Sequence, residues 1–402
     1  MDTTRRKPDT ARPLISWTEE GASRSALWRS EAGLAPPARV QVVDDTLTAD
    51  AAYRLACGGT ALLWRGDFQN ARQLLQAMAR RIESHARRPH KAKAPGEAPR
   101  PMAEAFHLQR MAQAQRARTL GMLLIPCLAE HEIALRRAPD VQAACTEAYG
   151  RADAPYVTSL RELLGLIGAH EWRKKGVALA ALEGRIHPHY GVFSPVRGEY
   201  VTLVADAPLP AGLAASSLAF DIGTGTGVLA AVLARRGIAR VVATDQDARA
   251  IACAGENIDR LGLNGQVSVV AADLFPPGRA PLVVCNPPWL PGRPSSPLDA
   301  AIYDLDSRML FGYIDGLAAH LDAGGEGWLI LSDLAEHLGL RSRDELLARI
   351  AAAGLVVLGR LDTRPTHPRA FDRSDALHAA RAAEVTSLWR LGSAPEKRDG
   401  LV

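Results

Sequence analysis

Residues 220–227 read Phe-Asp-Ile-Gly-Thr-Gly-Thr-Gly, or FDIGTGTG. An apolar, strand-like run (SLAFDIG, 217–223) breaks into three alternating glycines and passes at once into TGVLAAVLARRG, whose apolar residues recur at helical spacing. Glycines placed this way let the backbone turn tightly and bring a ligand close to a helix N-terminus, where N–H groups lack intrahelical partners. The spacing is G-x-G-x-G. The dinucleotide fingerprint G-x-G-x-x-G would put its third glycine on Val228. Asp221 stands two residues before the first glycine.

Working outward, the chain alternates from about residue 217 onward. The strand-like runs are SLAFDIG, RVVATD, VSVVAAD, PLVVCN, GWLILSD, VVLGRL and EVTSLWRL. Between them lie helical patterns such as ARAIACAGENIDRLG, a helix over 307–321, and SRDELLARIAAAG. This rhythm predicts an α/β, Rossmann-like fold with a seven-stranded, mostly parallel sheet and helices on both faces. Such sheets bind ligands at the carboxyl ends of their strands, and here those ends carry acids. Asp221 ends the first strand, Asp245 the second, 22 positions beyond Gly223, and Asp273 the third, followed by Leu274 and Phe275. A carboxylate at position 245 can accept bonds from both hydroxyls of a ribose.

The fourth strand ends abruptly in VVCNPPWLPGR (283–293). Pro287 and Pro288 donate no backbone N–H and cannot continue a ladder. One breaker would end a strand, so the asparagine and the tryptophan need a chemical reason.

DIGTGTG, ATD, AADLF and NPPW, in this order at four successive strand ends, resemble class I S-adenosylmethionine-dependent methyltransferases, and the resemblance covers residues 185–391. It implies that S-adenosyl-L-methionine is the cofactor. Gly223, Thr224, Gly225 and Gly227 would wrap its methionine part, Asp245 would hold its ribose and Asp273 would meet its adenine, with Asp221, Gln246 and Leu274 also expected among the cofactor-binding residues. Asn-Pro-Pro-aromatic is similar to the subset that methylates a planar nitrogen, either an exocyclic amine of a nucleobase or the side-chain amide of glutamine. Such a nitrogen delocalises its lone pair and is a poor nucleophile until its N–H protons are accepted. The carbonyls of Asn286 and Pro287 would each accept one, and Trp289 would offer a stacking face. No metal is called for.

The segment HPHYGVFSPVRGEY (187–200) resembles the lead-in of two branches, ribosomal RNA guanine-N2 methyltransferases and release-factor glutamine-N5 methyltransferases. Tyr190, Phe193 and Arg197 would line the substrate pocket, with a packing role for Phe193 equally open. The release-factor branch has Pro-Arg-Pro-Glu-Thr-Glu where this chain has Ser-Pro-Val-Arg-Gly-Glu, which disfavours the glutamine reading. The expected activity is N-methylation of a base in RNA, of guanine-N2 or adenine-N6 type. The alternative is glutamine-N5 methylation of a release factor or ribosomal protein, and a small-molecule amine ranks below both. In YDLDSRML (303–310), Asp306 or Ser307 is expected to cap a helix.

The 402 residues, 47% of them hydrophobic, suffice for two domains. The formal charge of +4 divides unevenly. Residues 1–200 hold 29 Lys+Arg against 21 Asp+Glu, a balance of +8, and the rest hold 19 against 23, or −4. Ten of those basic residues fall between Arg80 and Arg118, a candidate contact for RNA phosphates. The expected organisation is a poorly ordered segment 1–40, a helix-rich α/β domain 41–180 with a basic loop 85–101, the methyltransferase-like domain 185–391, and a flexible tail 392–402. The first domain would recognise substrate or be a degenerate copy of the second. The five cysteines are scattered without CxxC spacing and read as reduced thiols. With no signal-peptide pattern or apolar span, a cytoplasmic protein without membrane contact is expected.

Overall fold

The structure, a computed structural model, describes residues 13–86, 101–196, 198–296, 298–366, 372–373 and 375–395. Most of the basic loop and position 197 therefore lie outside the described residues. None of the described helices is long and apolar enough to cross a membrane. The chain divides into two compact units, one drawn from residues 1–100 and 107–171, the other from 101–106 and 172–402.

The first unit opens with a hairpin where the sequence predicted disorder. Leu14–Glu19 (β1) pairs antiparallel with Ala22–Trp28 (β2), and Glu19 lies opposite Ala22. Glu20 and Gly21 alone turn the chain, at φ 52° and 76°, the two-residue turn whose twist matches that of paired strands. Arg39–Val43 (β3), Thr60–Trp64 (β4), Leu123–Cys127 (β5) and Tyr156–Ser159 (β6) complete a six-stranded sheet ordered β1-β2-β6-β5-β4-β3. Order runs from β3 to β5 without reversal. Ile15, Trp28, Ala61, Leu63, Leu124 and Val157 pack together as its core.

Arg29 fastens the hairpin. It is buried, its backbone N–H donates to Val157 O at 3.0 Å, and its guanidinium lies 5.4 and 4.8 Å from the ring centroids of Tyr149 and Tyr156. Part of the basic surplus is spent inside this unit: Arg81 pairs with Asp50 at 2.6 Å and Arg116 with Glu83 at 2.9 Å.

The second unit begins earlier than the expected residue 185. Val177–Leu179 (β7) and Gly184–Ile186 (β8) form a small hairpin whose Leu179, Leu182 and Ile186 are buried in the main core. The strands that follow are Leu218–Ile222 (β9), Arg240–Asp245 (β10), Val267–Ala271 (β11), Ala280–Cys285 (β12), Leu290–Pro291 (β13), Tyr303–Asp304 (β14), Leu321–Ser332 (β15), Leu355–Thr363 (β16) and Thr386–Ser393 (β17). Seven of them form one sheet ordered β11-β10-β9-β12-β15-β17-β16, parallel from β11 through β15 and antiparallel beyond. β17 takes in residues 392 and 393, the start of the expected tail, because it pairs with β16 along its whole length.

Burial alternates as a two-faced sheet demands. Ala219, Leu282, Val284, Trp328 and Ile330 join one core with the helices Glu199–Asp206 and Val228–Arg235. Phe220, Ile222, Val283, Cys285 and Leu329 join the other, with the helices Arg308–His320 and Arg343–Ala352. The strand order reverses between β9 and β12, which are neighbours in the sheet although two strands separate them in sequence.

Removing the Arg29 side chain deletes both ring contacts and leaves a cavity. Arg29→Ala should lower stability by about 3 kcal/mol in urea titration; a change under about 1 kcal/mol would show that the hairpin is held by its strands alone.

Candidate active site

The reversal sets the glycine loop beside the Asn-Pro-Pro turn. Asp221 and Ile222 of β9 lie opposite Val284 and Cys285 of β12 on one side, and opposite Ala243 and Thr244 of β10 on the other. Asp221, Asp245 and Asn286 thus reach one edge of the sheet, with Asp221 and Asp245 ending or nearly ending their strands and Asn286 following the next. Gly223, Gly225 and Gly227 take φ of 70°, 56° and 79°, a region costly for side chains. A Cβ on Gly223 would run into the Met309 methyl, and one on Gly227 would lie 3.2 Å from Ala254 Cα.

The loop is fastened by the acids expected to bind a ligand. Asp221 is 1% exposed, and its Oδ2 accepts from Thr224 Oγ1 at 2.6 Å and Ala230 N at 3.0 Å. Burial pushes its carboxyl up to about 6, against the two hydrogen bonds, and the Asp245 charge adds to the rise. Asp245 accepts from Gly225 N at 3.0 Å through Oδ2 and from Asp247 N at 2.9 Å through Oδ1, and burial raises its carboxyl too. Gln246 beside it is exposed. Asp273 is exposed and paired with Arg308 at 2.7 Å. Leu274 follows at φ 70°, its carbonyl accepting from the buried Thr244 hydroxyl at 2.6 Å.

At the fourth strand end, Asn286 Oδ1 accepts from the indole Nε1 of Trp289 at 2.9 Å. Trp289 is half-buried and packs against both cores, so it is a structural side chain as well as a candidate stacking face. Pro287 is buried. The chain beyond is held by β13 pairing parallel with β14.

The cap on the helix Arg308–His320 is Asp304 rather than Asp306 or Ser307. Its Oδ2 accepts from Met309 N and Leu310 N at 2.9 and 3.1 Å. Asp306 and Ser307 lie at φ 56° and 53°, and Ser307 makes no side-chain capping bond. Asp304 is a site residue the sequence reading passed over. Burial raises its carboxyl, and together with Asp221 and Asp245 it stands close enough to add to the burial that pushes the Cys285 thiol far up.

A second omission is Asn257, fully buried in the helix Ala248–Arg260. It donates to Thr226 O at 3.0 Å, while its Oδ1 accepts from His187 N at 2.8 Å. One side chain thereby ties the glycine loop to the segment that begins HPHYGVF. Farther along that segment, Tyr190 lies with Arg249 over its ring at 5.8 Å, and Val192 packs on Ala250 and Cys253. Phe193 is half-buried and packs against the main core. Arg197 is outside the described residues. Among the described residues no group of three or more His, Cys, Asp and Glu is placed to hold a metal ion.

A glycine loop braced by Asp221 and Asp245 beside an Asn-Pro-Pro-Trp strand end is the geometry on which comparison with known proteins bears. Residues 183–336 match the methyltransferase small domain. The chain is also similar to the ribosomal protein L11 methyltransferase of Pelotomaculum thermopropionicum, 49% identical over 69 residues, 17% of this chain and 22% of that one. The release factor glutamine methyltransferase of Caulobacter vibrioides is 30% identical over 167 residues, 40% of this chain and 57% of that one. The ribosomal RNA small subunit methyltransferase C of Alcanivorax borkumensis is 31% identical over 158 residues, 39% and 45% of the two chains. This chain thus covers at most 57% of the length of these three relatives.

The second unit carries an electrostatic cost at Asp221. Its carboxyl titrates near 3.8 when unfolded and near 6 when folded, so the folded state binds the proton more tightly. The stability this group contributes is full below about pH 4 and lost as pH climbs through 6. Asp221→Asn keeps an oxygen for both Thr224 and Ala230 but never ionises. Its melting temperature should gain on the parent as pH rises from 4 to 7, equivalent to about 3 kcal/mol at the plateau. A difference that stays flat with pH would mean that Asp221 is not held neutral by burial.

Proposed function

We propose that this protein is an S-adenosylmethionine-dependent N-methyltransferase acting on a planar exocyclic nitrogen, foremost that of a nucleobase in RNA. The observation that carries the reading is the convergence of the glycine loop, Asp245 and Asn286 at one sheet edge, in the part of the chain that matches the methyltransferase small domain.

The residues fit the cofactor on physical grounds. S-adenosylmethionine has a sulfonium and an ammonium, and three carboxyl groups whose ionisation burial opposes stand close together here. A cationic ligand offsets that penalty. A Cβ on Gly225 would meet nothing within 4 Å, so this glycine leaves the backbone open to a ligand. In this reading Gly223, Thr224, Gly225 and Gly227 hold the methionine part, Asp245 accepts from the ribose hydroxyls, and Asp221 braces the loop from beneath. Asp273, Leu274 and Gln246 border the adenine and ribose.

When bound, the cofactor supplies a methyl group on a positively charged sulfur. The chain's own part is to make the acceptor nitrogen reactive and aim it. A carbonyl oxygen has two lone pairs, so Asn286 Oδ1, already accepting from Trp289, retains one for a substrate N–H. The Pro287 carbonyl takes the second N–H. Both acceptors sit on a turn stiffened by two prolines, so little reorganisation is needed at the transition state. Withdrawing the two protons toward these oxygens localises the nitrogen lone pair, and one proton leaves after transfer. The ring of Trp289 bounds the site on one side.

RNA is favoured as carrier by the basic balance of residues 1–200 and by the departure from the Pro-Arg-Pro-Glu-Thr-Glu pattern. Glutamine in a release factor or ribosomal protein is the second reading. The match to the release factor glutamine methyltransferase of Caulobacter vibrioides, covering 57% of it, supports that alternative.

Cell extract incubated with tritiated S-adenosylmethionine and this protein should acquire label that ribonuclease releases and protease does not. The reverse pattern would move the substrate to protein, and label in neither fraction would defeat both readings. Asn286→Ala should reduce kcat about 100-fold with cofactor affinity unchanged, and Asp245→Ala should weaken S-adenosylhomocysteine binding about tenfold or more in calorimetry. Parent-like turnover by Asn286→Ala would remove the asparagine from the mechanism.

A further inference from the structure

Trp289 does something more specific than offer a flat face. Its indole Nε1–H points at Asn286 Oδ1 across 2.9 Å, and its ring is wedged against side chains from both faces of the sheet. The donor is therefore held by the fold rather than by the asparagine it meets.

An indole N–H only donates. It can face the oxygen end of a carboxamide but not the NH₂ end, which would set donor against donor. A free asparagine at a strand end has no such preference, because its last torsion is broad and roughly two-fold, and the two orientations differ only by exchanging oxygen and nitrogen. Pro287 and Pro288 supply no backbone N–H to break the tie. In the wrong orientation Asn286 would present two donors to a substrate amine that also donates.

Resting on the N-methyltransferase reading, we propose that Trp289 is a positioning residue that selects the productive orientation of the Asn286 carboxamide. The indole N–H occupies one lone pair of Oδ1, and the other faces the substrate amine. Phenylalanine would keep a ring but lose this selection. Aspartate at position 286 would not need it, because either carboxylate oxygen accepts.

This asymmetry gives a double-mutant test on the full chain, using tritiated S-adenosylmethionine and whichever extract fraction, RNA or protein, the parent labels. Trp289→Phe should lower kcat about tenfold in the parent, the loss of one net hydrogen bond, with KM for the cofactor within about twofold. In the Asn286→Asp background the same substitution should cost less than about threefold, because any contribution of the ring face alone appears in both backgrounds and cancels. Equal factors in the two backgrounds would overturn the inference and leave the methyltransferase reading standing. A parent that labels nothing would overturn that reading, and the inference with it. Independently of turnover, the indole N–H proton of Trp289 should exchange slowly with solvent in the parent and in Asn286→Asp, and faster in Asn286→Ala. Identical exchange in the parent and Asn286→Ala would show that the indole N–H does not engage the carboxamide, and would overturn the inference.

Discussion

The reversal of strand order between β9 and β12 is the constraint on which the site depends. Two strands separated by about sixty residues become neighbours, so the turn after one meets the turn after the other. Chain leaving β9 enters the helix Val228–Arg235 on one face, while the helix Arg308–His320 packs on the opposite face. The edge between them is where open α/β sheets hold ligands. Gly223 makes the arrangement sterically possible. It takes a left-handed turn and gives room to Met309, the second residue of the helix on the far face, so glycine loop, helix start and strand end form one packed unit.

That unit is electrostatically expensive. Asp221 has two neutral donors for partners, and an asparagine would satisfy both. Asp304 caps a helix through one oxygen, again a task open to asparagine or serine. Placing ionisable carboxyls at both positions, with Asp245 near, raises the cost of folding at neutral pH without any evident gain in packing. Such clusters mark functional sites more often than structural ones. A cationic ligand is the simplest agent that turns the penalty into binding energy.

Much of the fold was legible because its signals are local. The first four strands of the large sheet are short and largely apolar, and their ends carry a glycine, an acid, or an asparagine followed by two prolines. The site residues that escaped detection act through contacts between distant segments. Asn257 looks like a polar residue in an amphipathic helix until Thr226 and His187 are brought against it. Asp304 sits three residues before the helix start that the pattern suggested, and the left-handed turn at Asp306 and Ser307 that makes it the cap has no residue signature, since neither is glycine. The β1–β2 hairpin was hidden by composition. Of the residues in β1 only Ile15 is fully buried, and the rest are mostly polar or exposed, as an edge hairpin permits.

The role proposed for Asn286 would suit an RNA base and a glutamine side chain equally. Both present a flat N–H₂ group with a delocalised lone pair, and two carbonyl acceptors treat them alike. Selection between carriers must come from surface beyond the strand ends. The basic stretch is the obvious candidate, but its charge is not all available: Arg81 is paired with Asp50, and Arg116 with Glu83, within the first unit. Both pairs are partly exposed, hence weak, and a phosphate can compete for either arginine at modest cost. Such competition would leave a carboxylate unpaired for each arginine captured, so in the RNA reading proposed above these two positions would add less to affinity than the formal charge count suggests. Exposed Arg80 and Arg118, which no ion pair claims among the described residues, are better placed to contribute.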